Sequence, residues 1–372
     1  MKKKLALSII SFDECFPQGG FSGGGHKVTK KLIEELIKSD EFSIDIFCQK
    51  GDFQKKYELD GINSIKVLNK KTFKEDFLNI LEQSDYDYVL SSDVLLPYAN
   101  NIIHSNSSAY KSKNGKCFLM KTVAKIFNAK KIKRQNKNIS REKAVFTVSQ
   151  RLKNDFVENF KLDEKKVHTA YPAVDSHCEF VEPVKKETFT VGSIVGGGLN
   201  KGGYLLLLAL RNLKSEKNIK AKVIFPKIKK AFFFKTAVTI LGLKDKIEIL
   251  PRQKDMETYY KSIDCYVLPS LNEAFGLVVT EAASNSKPSI VSSTTGVREL
   301  IKDSVNGFVF EREKKPVKKL TEKIKEVTNL YFKDFEQFKE VSKDAHKTAQ
   351  ELSWQEFSRI ITTNMIEEQK ID

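Results

Sequence analysis

The chain has 372 residues, 40% of them hydrophobic, and a formal net charge of +16. That length exceeds one ordinary domain, and that apolar content fills two cores of about 150 to 200 residues each. Five scattered cysteines (Cys15, Cys48, Cys117, Cys178, Cys265) form no CxxC pair, which argues against a disulfide framework or a zinc site and for reduced thiols in a cytoplasmic protein.

No run approaches the ~18 apolar residues of a membrane span. The apolar start after Lys2-Lys3-Lys4 stops at Asp13-Glu14 without a small-residue cleavage site, so it reads as a first buried strand and not as a signal peptide. Leu5 to Phe12 is that strand. It runs into a glycine loop, Phe16 to Gly25, and a helical pattern through Val28, Leu32, Ile33, Leu36 and Ile37. Strand, glycine loop and helix make a phosphate-binding arrangement, but Gly20 and Gly25 at P-loop spacing are followed by His26 where that motif needs Lys, and no GxGxxG occurs. Phe42–Cys48, Ile65–Leu68 and Tyr88–Ser91 alternate as further strands, with a helix at Phe73–Gln83, which is the βαβ rhythm of a doubly wound sheet. Asp85-Tyr86-Asp87 has the spacing of a metal-holding DxD triplet, yet it precedes a strand, at the wrong end of the sheet for a site, and reads as a surface turn.

Asn101 to His104 is a short strand whose terminal histidine is placed to position a hydroxyl or relay a proton, with a hydrogen-bonded structural histidine as the equal alternative. A basic segment follows. Between Tyr110 and Lys143 there are twelve Lys or Arg against the single acid Glu142. Within it, Phe118, Leu119, Val123, Ile126 and Phe127 recur at helical spacing between lysines, a basic amphipathic helix suited to an anionic membrane leaflet. Nucleic acid is the rival partner, but no recognised module or stacking platform supports it, and a solvated basic face with no partner is the third reading. Ala144–Ser149 and Val167–Tyr171 complete the strands of a first domain, 1–175, with a helix at Gln150–Phe160 between them.

The second domain, 176–345, opens with a strand at Phe189–Val195 and a second glycine loop, Gly196 to Gly203. Lys201 sits just before the next helix, where point charge and helix amides add into a pyrophosphate ligand. Strands at Ala221–Phe225, Lys246–Leu250, Asp264–Leu268, Ser289–Ser292 and Gly307–Phe310 alternate with helices. The fourth strand leads through the elbow Pro269–Ala274 into a helix that begins near Phe275 or Gly276. Glu273 and Glu281 frame this elbow at a strand's carboxyl end, where open α/β sheets bind ligands, so a phosphate-bearing substrate is expected. A final helical part from Glu340 to Glu368 carries the single tryptophan, Trp354, and is expected to tie the two domains together, with 346–372 crossing back to the first.

The stretch NEAFGLVVTEA, Asn272 to Ala282, resembles the signature of retaining glycosyltransferases of family 4, in which two glutamates bracket Phe-Gly-Leu. FTVSQRLKNDF (146–156), YPAVD (171–175), Lys201-Gly202 and STTGVRELIKDSVNGFVFE (293–311) fall in that family's order. The resemblance implies the GT-B fold: two Rossmann-like α/β domains facing a cleft, the nucleotide-sugar donor held mainly by the second. It implies that Glu281 binds the donor ribose and that Glu273 contacts the transferred sugar and the reaction centre. The amides of Phe275, Gly276 and Leu277 would meet the diphosphate, and Lys201 would neutralise it without a metal or other cofactor. His104 matches a histidine near the sugar, and Gly23 and Gly24 match the acceptor-side loop. Ser193 stands where many members carry Arg, which leaves the diphosphate to Lys201 and to a further base such as Lys227 or Arg252. Pro172-Ala173 replaces the usual Asn-Gly.

The expected activity is retaining transfer of a sugar, from a UDP-sugar above all, to a hydroxyl of a membrane-associated or anionic glycan, at the inner face of the membrane. Two alternatives stand beside it. One is a non-enzymatic polyanion-binding protein on a degenerate transferase scaffold; the other is a sugar-nucleotide epimerase of similar fold.

Overall fold

The computed structural model describes residues 2–17, 23–50, 58–92, 94–105, 129–175, 178–195, 199–227 and 231–369. The chain divides into two compact units, Met1–Pro172 with Ser353–Asp372, and Ala173–Leu352.

The first unit is built on strands β1 (Lys3–Ser11), β2 (Phe42–Lys50), β3 (Ser64–Val67), β4 (Tyr88–Ser92), β5 (Asn100–Ile103), β6 (Val145–Thr147) and β7 (Val167–Thr169). They form one sheet in the order β3-β2-β1-β4-β5-β6-β7, with every pairing parallel. Leu5 of β1 lies opposite Ile44 on one side and Tyr88 on the other. Leu5, Ala6, Leu7 and Ile9 are buried, as are Ile44, Ile46, Phe47 and Cys48, the near-continuous apolar run of strands covered on both faces. The expected strand through Phe12 stops one residue earlier. Ser11 Oγ accepts the Glu14 amide at 3.4 Å and caps a one-turn helix, α1 (Phe12–Cys15).

Helices α2 (Gly24–Ser39), α3 (Phe73–Glu82) and α4 (Gln150–Phe160) connect the strands, and 129–138 is also helical. The Asp85-Tyr86-Asp87 triplet holds the amino end of β1: the Lys4 amide donates to Asp87 at 2.7 Å, and Lys4 Nζ pairs with Asp85 at 2.6 Å. These carboxylates therefore do a structural job at the sheet's amino edge. Most of the basic amphipathic stretch, 106–128, lies outside the described residues, as do 18–22 and 196–198 of the two glycine loops.

The second unit carries β8 (Phe189–Ile194), β9 (Ile219–Ile224), β10 (Ile247–Leu250), β11 (Cys265–Leu268), β12 (Ser289–Ser292) and β13 (Phe308–Phe310). Their order is β10-β9-β8-β11-β12-β13, again with parallel pairs throughout. Both sheets thus follow the doubly wound order in which the chain first winds outward to one side and then resumes on the other. The reversal falls between β1 and β4 in one unit and between β8 and β11 in the other. Helices α5 (Gly203–Asn212), α6 (Phe232–Ile240), α7 (Met256–Lys261), α8 (Leu277–Ser284), α9 (Pro316–Lys333) and α10 (Phe335–Gln350) complete this unit. Its core includes an aromatic cluster in which the Tyr331 ring lies 5.0 Å from Phe189 and 5.1 Å from Phe338, fixing α9 and α10 against β8.

The helical tail expected as one piece from Glu340 to Glu368 is two helices. After α10 ends at Gln350, Ser353 Oγ accepts the Glu356 amide at 3.1 Å and starts a new helix, α11 (Trp354–Gln369). Trp354, Phe357, Ile361 and Met365 are buried, and α11 packs on α2 and β7. The last helix is therefore part of the first unit although it follows the second in sequence. Among the described residues no helix is long and apolar enough to cross a membrane.

Candidate functional site

In the second unit the carboxyl ends of β8, β11 and β12 are laced together, and that lacing positions Glu273. β11 is wholly buried, and the chain leaves it at Pro269. The Leu271 amide donates to the Asn200 carbonyl at 2.7 Å, and the Gly296 amide donates to the Glu273 carbonyl at 3.0 Å. Ser292 Oγ donates to the Ser270 carbonyl at 2.7 Å. Glu273 also bridges Thr295 as an isolated parallel pair. The elbow is thus held from β8 on one side and from β12 on the other, at the point where the strand order reverses.

Lys201 reaches the same place from the β8 side. Its Nζ lies 2.7 Å from Glu273 Oε2, with the lysine side chain 51% exposed and the glutamate 21%, and Ser270 Oγ donates to the same oxygen at 3.3 Å. Lys201 ends a short 3-10 turn, and Gly202 follows with φ of 68° as the N-cap of α5. A side chain at Gly202 would fall on the carbonyl oxygen of Pro269, so only glycine lets the α5 start approach the elbow so closely.

The helix expected from Phe275 or Gly276 begins at Leu277. Gly276, with φ of 123°, is its N-cap, because a positive φ cannot continue an α-helix. Phe275 is buried, and its carbonyl accepts the Val297 amide at 2.9 Å. Two helix starts, those of α5 and α8, therefore flank one Lys–Glu pair. First-turn amides without intrahelical acceptors favour an anionic ligand at each.

Glu281 lies in the second turn of α8 and is half-buried. Its Oε2 accepts the Tyr260 hydroxyl at 3.1 Å. Burial, reinforced by the Glu281 charge, pushes the Tyr260 phenol well above its ordinary value, so it stays a proton donor to the carboxylate. Ser193, at the position where the family resemblance implies arginine, is fully buried in β8 and donates to the Val267 carbonyl at 2.8 Å. It is a sheet residue and offers nothing to a ligand. Lys227 and Arg252 are exposed just past the ends of β9 and β10, on the same carboxyl edge of the sheet.

In the first unit His104 sits just past β5, beside the end of β4. Its Nε2 lies 2.9 Å from Ser92 Oγ, which lies 2.6 Å from Thr29 Oγ1, and Thr29 donates to the Gly25 carbonyl at 3.1 Å. A carbonyl only accepts, so each hydroxyl's single proton points along the chain toward Gly25. Nε2 of His104 therefore carries the proton that Ser92 receives, and in the neutral ring the lone pair is on Nδ1. Gly23 is the N-cap of α2 and Gly24 its first residue, so this relay ends at the glycine loop's helix. His26 pairs with Glu14 at 2.9 Å, which explains a histidine at the P-loop lysine position: it is tied to α1.

The structure thus gathers Lys201, Glu273 and the start of α8 around one sheet edge, with Glu281 on the same helix. It places His104, Gly23 and Gly24 at the corresponding edge of the other unit. Sequence reasoning missed Tyr260, Ser92 and Thr29. Tyr260 left one signal, a Tyr-Tyr pair on a short helix just ahead of the apolar strand. Ser92 and Thr29 left none. Among the described residues no group of three or more His, Cys, Asp or Glu side chains is gathered as a metal ligand set.

Comparison with known proteins supplies the context. Residues 179–347 match the family described as Glycosyl transferases group 1. An uncharacterized glycosyltransferase of Methanocaldococcus jannaschii is 29% identical over 182 residues, 44% of this chain and 46% of that protein. The UDP-Gal:alpha-D-GlcNAc-diphosphoundecaprenol alpha-1,3-galactosyltransferase of Escherichia coli is 37% identical over 73 residues, 20% of this chain and 19% of its own. The chain spans less than half the length of the curated relatives it matches. Among solved structures, HepE of Anabaena in complex with UDP and glucose superposes with a TM-score of 0.70 at 14% identity, covering 98% of this chain and 100% of its own. The second unit therefore carries a glycosyl transferases group 1 domain, and the chain as a whole has the GT-B fold of two Rossmann-like α/β units.

Proposed function

We propose that the protein is a retaining glycosyltransferase that moves a sugar from a UDP-sugar to a hydroxyl of a membrane-associated or anionic glycan. The observation that carries this reading is the Lys201–Glu273 pair at the strand-order reversal, flanked by two helix starts. In this reading Lys201 exchanges Glu273 for the donor diphosphate as the donor binds. The amides of Phe275, Gly276 and Leu277 meet the same diphosphate, and no metal is needed because these groups and the helix dipoles offset its charge. Lys227 or Arg252 supplies the second cation that Ser193 does not. Glu281, held by Tyr260, accepts from the ribose hydroxyls, and Glu273, released from Lys201, faces the transferred sugar and the reaction centre. His104 and the loop at Gly23 and Gly24 serve the acceptor side.

The UDP donor is supported by the UDP and glucose bound in the Anabaena neighbour. A lipid-linked acceptor is supported by the name of the Escherichia coli relative, which acts on a diphosphoundecaprenol-linked sugar. In this reading the protein works at the inner face of the membrane.

The test is Glu273→Gln with a panel of nucleotide-sugars. Donor-induced thermal stabilisation should persist, since ligand binding raises stability by mass action, while turnover falls roughly a hundredfold or more. Undiminished turnover in that variant would refute the role of Glu273. The anomeric configuration of the product, read by NMR, decides retention: an inverted product rejects it. A polyanion-binding protein without activity is the second reading, favoured by buried Ser193 and the net charge of +16. It requires that no donor be turned over while anionic polymers still bind.

A further inference from the structure

Helix α6 leaves an apolar face uncovered on the second unit. Phe232 is 69% exposed, Phe233 75% and Ile240 77%. At ~100° per residue, Phe232, Thr236, Ile240 and Phe233 follow one another around a single arc of the helix. The opposite side is anchored: Phe234 and Val238 are buried, and the Phe234 ring lies 5.7 Å from Phe225 and 5.8 Å from Tyr204. The outward aromatics thus stand on a fixed helix, and a fixed apolar face of this kind marks an interaction surface.

Charge identifies the occupant. From Lys217 to Lys244 the sequence holds eight lysines and no aspartate or glutamate. Lys227, Lys235 and Lys244, around α6, are all exposed. Of the two bounding acids, Glu216 pairs with Lys325 at 3.1 Å and Asp245 is exposed beside Lys244, while α6 itself contains no acidic residue. Phenylalanines on a lysine-rimmed helix match a segment lying in the headgroup region of an anionic leaflet, where rings enter the acyl boundary and each nearby lysine adds attraction.

We propose that α6, through Phe232, Phe233 and Ile240 with Lys227, Lys235 and Lys244, is a docking surface for an anionic lipid bilayer. Tyr204, against which Phe234 packs, lies in the first turn of α5, three residues after Lys201. That contact ties the inner face of α6 to the helix that starts beside the Lys201–Glu273 pair, while the face proposed to dock is turned away from it. The docking itself does not depend on the transferase reading, since it needs neither donor nor Glu273.

The experiment is vesicle co-sedimentation of the full chain without nucleotide, in a background where the lysines between Lys121 and Lys133 are changed to Gln to remove the other basic segment. Vesicles are phosphatidylcholine alone or mixed equally with phosphatidylglycerol. Binding to the mixed vesicles alone should persist in this background and fall about tenfold or more in Phe232→Ser/Phe233→Ser. It should also fall in Lys235→Glu/Lys244→Glu, while donor stabilisation stays unchanged in both. As a second readout, Phe233→Trp should give an emission that shifts to the blue with the mixed vesicles. Binding that is unaffected by the serine pair, or a tryptophan that does not shift, overturns the proposal. So does a wild-type dimer that the serine pair dissolves while vesicle binding persists, which would assign the face to a second copy of the chain.

Discussion

Gly202 and Tyr260 carry obligations that their residue types alone do not announce. Gly202 combines a φ of 68° with contact against the Pro269 carbonyl. Gly202→Ala should therefore cost the second unit about 2–4 kcal/mol, from backbone strain plus the clash, measured as a lower urea midpoint. Because the clash sits beside Lys201, donor binding should weaken as well. Tyr260→Phe keeps the packing but removes a hydroxyl from the Glu281 carboxylate, a hydrogen bond to a charged group worth about 1.5–3 kcal/mol. If Glu281 holds the ribose, the donor KM should rise roughly tenfold with kcat changed far less; a selective loss of kcat would place Glu281 at the reaction centre instead.

At the scale of elements, α11 tests how the chain closes its first unit. Phe357, Ile361 and Met365 are buried against that unit, and each fully buried side chain of this kind contributes about 1.5–3 kcal/mol. Ending the chain after Ser353 should leave α2 and β7 with their apolar faces in water. Amide exchange in those two elements should accelerate by orders of magnitude while β8 and β11 keep their protection. Similar protection in α2 with and without α11 would show that this unit does not need it. The elbow after β11 is the opposite kind of element. Its elements, strand, turn and helix, are contiguous in the chain, so the hydrophobic run, the two glutamates and the glycine were legible together in Cys265 to Glu281. Only the start of α8 moved, by a residue or two, because glycine permits the φ of 123° at Gly276 but the packing around the elbow selects it.

For the molecule as a whole, one contribution to acid sensitivity comes from His168. Burial lowers its proton affinity in the folded chain; Lys153 adds to this, and Glu368 and Glu367 oppose it. Among the described residues its buried Nε2 has no hydrogen-bond partner, and its ring packs 5.7 Å from that of Phe146. The unfolded chain titrates this histidine near pH ~6.5. Below that value the unfolded state binds a proton that the folded state refuses, so this histidine's contribution to stability is complete above pH ~6.5 and is lost as the pH falls. His168→Phe should flatten the melting temperature between pH 7 and 5 (about the range of an unperturbed histidine); an unchanged slope would assign the acid sensitivity elsewhere.

The sequence by itself determined what depends on near neighbours: apolar runs long enough to be strands buried on both faces, the alternation that makes doubly wound sheets, and the carboxylate elbow with its glycine. The tertiary structure alone decided what depends on which strand lies beside which. It brought Lys201 to Glu273 across 72 positions and Thr29 to Ser92 across 63, and it took Ser193 out of the site by burying it between β9 and β11. It also turned Phe232 and Phe233 outward. A hydrogen bond or an uncovered ring is set by the spatial order of strands, and that order is fixed by the packing of the whole sheet, which no local stretch of residues records.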